Sequence, residues 1–147
     1  MGFMESLTIS ASGMTAERLR MDVIANNIAN ANTTRTAGGG AYRRQEVIYS
    51  SGGNSFADQL ATQMGNGSST LRGVSVTGIV PDSSPLKQVY DPGHPDANAQ
   101  GYVTMPNVDT VTEMVDMMGA QRAYEADVAA TQAIKSIAQQ SISIGKA

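Results

Sequence analysis

Apolar and small residues recur in steps of three and four at both ends of this chain, whereas the middle alternates in short runs broken by turn formers. The stretch from Asn107 to Ala147 contains no proline and reads as one long helix. At about 1.5 Å per residue it would run roughly 55 Å, far beyond what one small core needs. One row passes through Met117, Ala120, Tyr124, Val128, Thr131, Ile134, Ala138 and Ile142, and a second through Val108, Val111, Val115 and Met118. A helix with two apolar faces has to be covered from two directions. Its start is set either by the capping-box spacing of Thr110 to Glu113 or by a cap nearer Asn107 or Asp109.

The other end behaves similarly. Residues 6–31 predict a first helix whose row Leu7, Ala11, Met14, Arg18, Met21, Ala25, Ile28 has heptad-like steps, beside a second row, Ile9, Ala16, Leu19, Val23. Arg18 interrupts the first row and has to reach solvent or a carboxylate. Gly13 and Gly119 each cost a helix about 1 kcal/mol against alanine, which close approach of a neighbouring helix would offset. The run Asn26, Asn27, Asn30, Asn32, Thr33, Thr34 predicts the exit from this helix, because these side chains compete for backbone hydrogen bonds. One apolar seam does not offset the entropy of ordering such helices, so both ends are expected to need partners.

All five prolines and most glycines lie between the helices. Strands are expected at residues 42–49, around Val74, Val76 and Val80, and at 86–90 and 102–105. A Gly/Ser/Asn-rich flexible loop is expected across 50–71, with room for one helical turn at 56–64. The expected fold class is α+β and mainly α: long N- and C-terminal helices pairing as an antiparallel coiled-coil-like unit, with a small β-rich middle segment. The expected divisions are 1–36, 37–106 and 107–147.

Composition narrows the chemistry. A net charge of -3 provides no basic footprint, which argues against a nucleic-acid partner. The chain has no cysteine, so a disulfide framework, a zinc–thiolate site and a cysteine nucleophile are all excluded. The start, MGFMESLTISASG, has neither the basic nor the apolar region of a cleavable secretory signal, and no run reaches membrane-spanning length.

His94, the one histidine, stands between Asp91 and Asp96. A metal or acid–base site is one reading; a proline-fixed turn carrying an exposed imidazole is preferred, since a five-residue turn seldom supplies three ligands. Glu113 and Asp116 could pair as catalytic carboxylates, but acids in a first helical turn more often complement the helix dipole. Gly38-Gly39-Gly40 lacks the strand before it and the Gly-Lys-Ser/Thr after it that a phosphate cradle needs. The myristoylation pattern at Gly2 and Ser6 and the sequons at Asn32 and Asn66 are short and common. Met14, Met21, Met114, Met117 and Met118 read as adaptable packing, suited to a helix that meets several non-identical neighbours.

Longer words carry more. ISASGMTAERLRMDVIANNIANANTTRT, residues 9–36, resembles the N-terminal signature of bacterial flagellar rod, hook and hook–filament junction proteins. Within that group RMDVIA and Tyr42-Arg43-Arg44 are similar to the proximal type of flagellar basal-body rod protein. Residues 84–128 agree, including Asp91, Pro92, Gly93, His94, Pro95 and Asp96 and the later Arg122, Tyr124 and Glu125. That pattern would place asparagine at Asp127 and methionine at Ile137.

The resemblance implies a non-enzymatic structural subunit without cofactor, metal or small-molecule substrate. Its terminal helices would assemble into the axial drive shaft of the flagellum, in the periplasm after type III export without cleavage. Implied partners are copies of itself, other rod proteins, the rod-to-membrane-ring adaptor and the export apparatus. The expected packing and interface residues are Leu7, Met14, Met21 and Ile28 on the first helix, against Tyr124, Val128, Ile134 and Ile142 on the last, with Val111 and Met118 on its second face. The alternatives are another axial protein of distal rod or hook type, a cytoplasmic coiled-coil adaptor, and a small hydrolase centred on His94.

Overall fold

A computed structural model describes residues 3–51 and 73–144. The turn expected at 56–64, the Asn66 sequon and Gly2 lie outside the described residues.

Helix α1 spans Phe3–Ala29. It ends where the asparagines begin to bond their own backbone: Asn30 Nδ2 donates to Asn26 Oδ1 at 2.6 Å and to the Asn26 carbonyl at 3.0 Å. The chain then folds back through Gly38–Gly40. Gly39 and Gly40 hold φ of 85° and 78°, in the left-handed region where glycine carries no Cβ penalty. The Thr36 and Gly39 amides donate to the Gly40 and Thr36 carbonyls, and the Tyr42 amide to Thr33, which returns residues 42–45 to the end of α1.

Strand β1 (Gln45–Ser51) pairs with β2 (Val74–Pro81). The Asp82 amide meets the Arg44 carbonyl and Ser50 meets Ser75, so numbers fall along β2 as they rise along β1: the pair is antiparallel. Strands β3 (Lys87–Tyr90) and β4 (Tyr102–Met105) form a second antiparallel pair, with Lys87 opposite Met105 and Tyr90 opposite Tyr102. The two tyrosine rings meet edge to face, centroids 5.3 Å apart. Between these strands Asp91, His94 and Asn98 fold the expected turn: Asp91 Oδ1 accepts the Gly93 amide, His94 Nδ1 the Asp96 amide, and Asn98 Oδ1 the Gln100 and Tyr102 amides.

Helix α2 spans Thr110–Ile144, 35 residues and about 52 Å long. Asp109 is its N-cap, Oδ1 accepting the Val111 and Thr112 amides at 3.0 and 3.4 Å. That settles the start between the alternatives, and Glu113 is left without a capping-box role.

The described residues fall into two compact units. One draws on Met1–Arg18, Ile48–Thr77 and Arg122–Ala147, the other on Leu19–Val47 and Gly78–Gln121. The second holds nearly all the core: Val23, Ile24, Ala31, Val103, Pro106, Val108 and Ala120 are buried there. In the first unit Ala16 alone is buried among the described residues. Its helices meet closely at Gly13, where an added Cβ would lie 2.6 Å from an Asp127 carboxylate oxygen. Close approach therefore accounts for Gly13. Gly119 differs: an added Cβ meets nothing within 4 Å, so no helix among the described residues packs on it.

These glycines predict opposite stability changes. Gly101 has φ of 82° and an added Cβ would lie 2.8 Å from the Tyr90 ring, so Gly101→Ala is expected to lose about 1–3 kcal/mol in urea unfolding. Gly119→Ala is expected to gain about 1 kcal/mol in the same measurement.

Candidate functional site

The most constrained polar group among the described residues is built where the end of α1, the returning segment 42–45 and the first turn of α2 converge. Asn27 and Glu113 are each 1% exposed, among the most buried side chains described. Asn27 uses its whole amide. Nδ2 donates to the Gln45 carbonyl at 2.9 Å and to Glu113 Oε2 at 3.0 Å; Oδ1 accepts the Gln45 amide and the Tyr42 hydroxyl, both at 2.9 Å. A fully satisfied buried amide costs little and holds its neighbours to one geometry.

Arg44 completes the group. Its Nε donates to Glu113 Oε1 at 2.5 Å, while the outer guanidinium nitrogens reach Glu46, Asp116 Oδ2 at 3.4 Å and Asp82 Oδ2 at 4.0 Å. The Arg44 backbone is held as well, its amide donating to Asn107 Oδ1 at 2.8 Å and its carbonyl accepting the Asp82 amide at 2.7 Å. Arg43, one residue earlier, donates to the Asp82 and Ser84 carbonyls. One cation thus lies among four carboxylates, of which only Glu113 is buried.

The electrostatics follow. Partial burial works against the Arg44 charge, but the Glu113 hydrogen bond and the fields of Glu113, Glu46 and Asp116 outweigh it and hold the guanidinium above its ordinary value. Burial, then the Glu113 charge, pushes the Tyr42 phenol up. The Ser84 hydroxyl and amide, with Arg44 and Arg43 behind them, hold the Asp82 carboxyl below its ordinary range.

The expected interface residues divide by exposure. Leu7, Met14, Met21 and Ile28 are half-buried on α1, as are Tyr124, Val128 and Ile134 on α2. Ile142 is exposed. On the second face of α2, Val111, Val115 and Met118 are 70%, 58% and 52% exposed, whereas Val108 precedes the helix and is buried. Of the signature residues, Asn27 is buried, Asn30 and His94 are half-buried, and Asn26, Asn32, Asp91, Pro92, Gly93, Pro95, Asp96, Arg122 and Glu125 are exposed. Asp96 ties the turn to the exit of α1, accepting Thr34 Oγ1 at 2.8 Å, with Arg35 at 4.0 Å. An open cleft of about 450 Å³ lies there, lined by Thr34, Arg35, Leu86, Asp96, Ala97 and Thr104.

Neither His94 nor the acids of α2 form a catalytic constellation. The His94 ring accepts a backbone amide, and among the described residues no three His, Cys, Asp or Glu side chains are grouped to hold a metal. Glu113 stands in the first turn of α2, as the dipole reading expects, but its carboxylate serves Arg44 and Asn27. Sequence reasoning missed this group. Its members are 69 and 86 residues from Glu113, and no local spacing rule joins positions so distant; Tyr42-Arg43-Arg44 registered only as a family word.

A family model described as flagella basal body rod protein matches residues 7–35, and one described as flagellar basal body rod FlgEFG protein C-terminal matches 99–144. The flagellar basal-body rod protein FlgC of Bacillus subtilis is 46% identical over 145 residues, 96% of this chain and 97% of that protein. That of Borreliella burgdorferi is 44% identical over 155 residues, covering 98% of each. That of Escherichia coli O6:H1 is 35% identical over 146 residues, 99% of this chain and all of that protein.

Two measurements probe the polar group. Arg44→Ala leaves the buried Glu113 carboxylate without its cation and is expected to cost about 3–5 kcal/mol in denaturant unfolding. Glu113→Ala leaves Arg44 its three outer carboxylates and is expected to cost less, about 1–3 kcal/mol. For pH, a carboxyl held low in the folded state favours folding above its unfolded pKa and loses that contribution as pH falls through the folded value. Stability should therefore drop below about pH 4, and Asp82→Asn should flatten that acid limb in pH-dependent melts.

Proposed function

Since the chain belongs to the FlgC family of flagellar basal-body rod proteins and is a structural subunit of that rod, we propose that the outward face of α2 is where successive subunits meet. The observation that carries this reading is the contrast between the two sides of one helix. Glu113 and Ala120 are buried, while Val111, Met114, Val115 and Met118, at helical spacing on the other side, face water. Four large apolar side chains in one row are an unusual expense on a surface that stays wet. The unit that draws on the far ends of both helices adds to this. It has Ala16 as its one buried residue among those described, and carries exposed Ile137, Ile142 and Ile144 on α2.

The mechanism is mechanical. A shaft transmits torque when its subunits share seams that resist sliding, and a helix about 52 Å long offers many contacts in parallel. Unbranched methionines at Met114 and Met118 accommodate neighbours that are not identical, as the surroundings in a helical tube are not. In this reading Leu7 and Met14 of α1 pack towards Tyr124, Val128 and Ile134, and Met21 and Ile28 towards the same residues of neighbouring subunits, with Ile142 free for the next subunit.

The partners in this reading are copies of this chain, other rod proteins, the adaptor between rod and membrane ring, and the type III export apparatus. The subunit works without catalysis. No described helix is long and apolar enough to cross a membrane.

Met118→Asp tests the face directly. Its side chain is already 52% exposed, so thermal melting of the purified chain is expected to be unchanged. Cells relying on the variant are expected to lose swimming in soft agar and to lack it in isolated basal bodies. Normal rods containing Met118→Asp would sink the proposal, and normal rods built from Met21→Asp would sink the part assigned to the α1 row.

A further inference from the structure

We propose that the Glu113 carboxylate, held by Asn27 and Arg44, is the pin that fixes the register in which α1 and α2 pair. The inference concerns how the chain folds and does not depend on what the folded chain assembles with.

The apolar rows alone choose a register poorly. On α1, Leu7, Met14, Met21 and Ile28 repeat every seven residues, as do Ile9, Ala16 and Val23; on α2, Met117, Tyr124, Thr131 and Ala138 do the same. Sliding one helix by seven residues replaces each contact by one of similar kind, and small residues leave little shape to object. The polar contacts are unique. Asn27 meets Glu113, and Gly13 lies against Asp127. The two pairings are fourteen residues apart on each helix, 13 to 27 on α1 and 127 to 113 on α2, so they describe one antiparallel register.

Three of the four Asn27 hydrogen bonds go to Gln45 and Tyr42, so this amide belongs to a clamp that α1 and residues 42–45 make without α2. Beyond the longer, half-exposed contact of Arg44 with Asp116, what the clamp offers α2 is one remaining Nδ2 hydrogen and the Arg44 Nε–H. Both converge on a single carboxylate, 1% exposed. A slide of seven residues would leave Asn27 facing Ala120 or Pro106, whose side chains have no acceptor, and would remove the buried partner of Arg44.

The natural chain has no cysteine, so introduced pairs report register cleanly. Gly13→Cys with Asp127→Cys reads the native register. Ser6→Cys with Asp127→Cys reads a slide of seven one way, and Gly13→Cys with Ile134→Cys the other. Seven residues are about 10 Å of helix, beyond disulfide reach, so the slid pairs are silent in the native register.

In the otherwise unaltered full-length chain, oxidation is expected to close the native pair alone. In Glu113→Leu the ratio of native to slid product should fall by about tenfold or more, the bias of one buried charged hydrogen bond. Moving the carboxylate one heptad, in Glu113→Leu/Ala120→Glu, should make Gly13→Cys with Ile134→Cys the dominant pair and restore helicity if Glu113→Leu has lost it. The native pair alone in whichever of these variants remain helical overturns the proposal. Loss of helical circular dichroism in both makes Glu113 a stability residue and overturns it too.

Discussion

The ion pair between Arg44 and Glu113, closed by the Asn27 amide, is the contact on which the rest of the structure depends. It joins the exit of α1, the start of β1 and the first turn of α2 at one point, where each group is satisfied and Asn27 and Glu113 are shut from water. The unit that holds it also holds Val23, Ile24, Val103, Pro106 and Val108, most of the apolar core. A buried charge pair adds little stability against an apolar replacement, yet losing one partner is costly, which is the basis of the register role proposed above. That property suits a chain whose core is small and whose helices are otherwise repetitive.

The two compact units divide the work differently. One holds the buried polar group and most of the buried apolar side chains. The other shows helices whose close approach at Gly13 and Asp127 is accompanied by a single buried side chain, Ala16, among the described residues. In energetic terms the second arrangement removes little apolar surface from water, so contacts outside the chain have more to contribute. The exposed row on α2 fits the same economy: one side of the helix is buried in the fold, and the other is the face proposed above to meet neighbouring subunits.

Much of this was legible in the sequence because it is local. Heptad steps in Leu7–Ile28 and Met117–Ala138 located both helices, alternation located four strands, and Asp91-Pro-Gly-His-Pro-Asp96 located the turn between β3 and β4. Boundaries shifted where side chains compete with backbone: α1 stops at Ala29 because Asn26 and Asn30 bond each other, and α2 starts from the Asp109 cap. Gly13 and Gly119 looked equivalent as helix interruptions, yet one lies under a carboxylate and the other is open. The polar group was illegible for a related reason. Arg44 and Glu113 are ordinary surface residue types in sequence, and only the fold places them together with Asn27.

The unequal charge around Arg44 has a bearing on salt. Glu46, Asp82 and Asp116 share the outer edge of one guanidinium, so three anions repel one another there while the fourth, Glu113, is bonded beneath. Mobile ions screen exposed charges over about 8–10 Å at ordinary ionic strength but act weakly on the buried pair. Added electrolyte therefore loosens the three outer partners of Arg44 while leaving its bond to Glu113 in place.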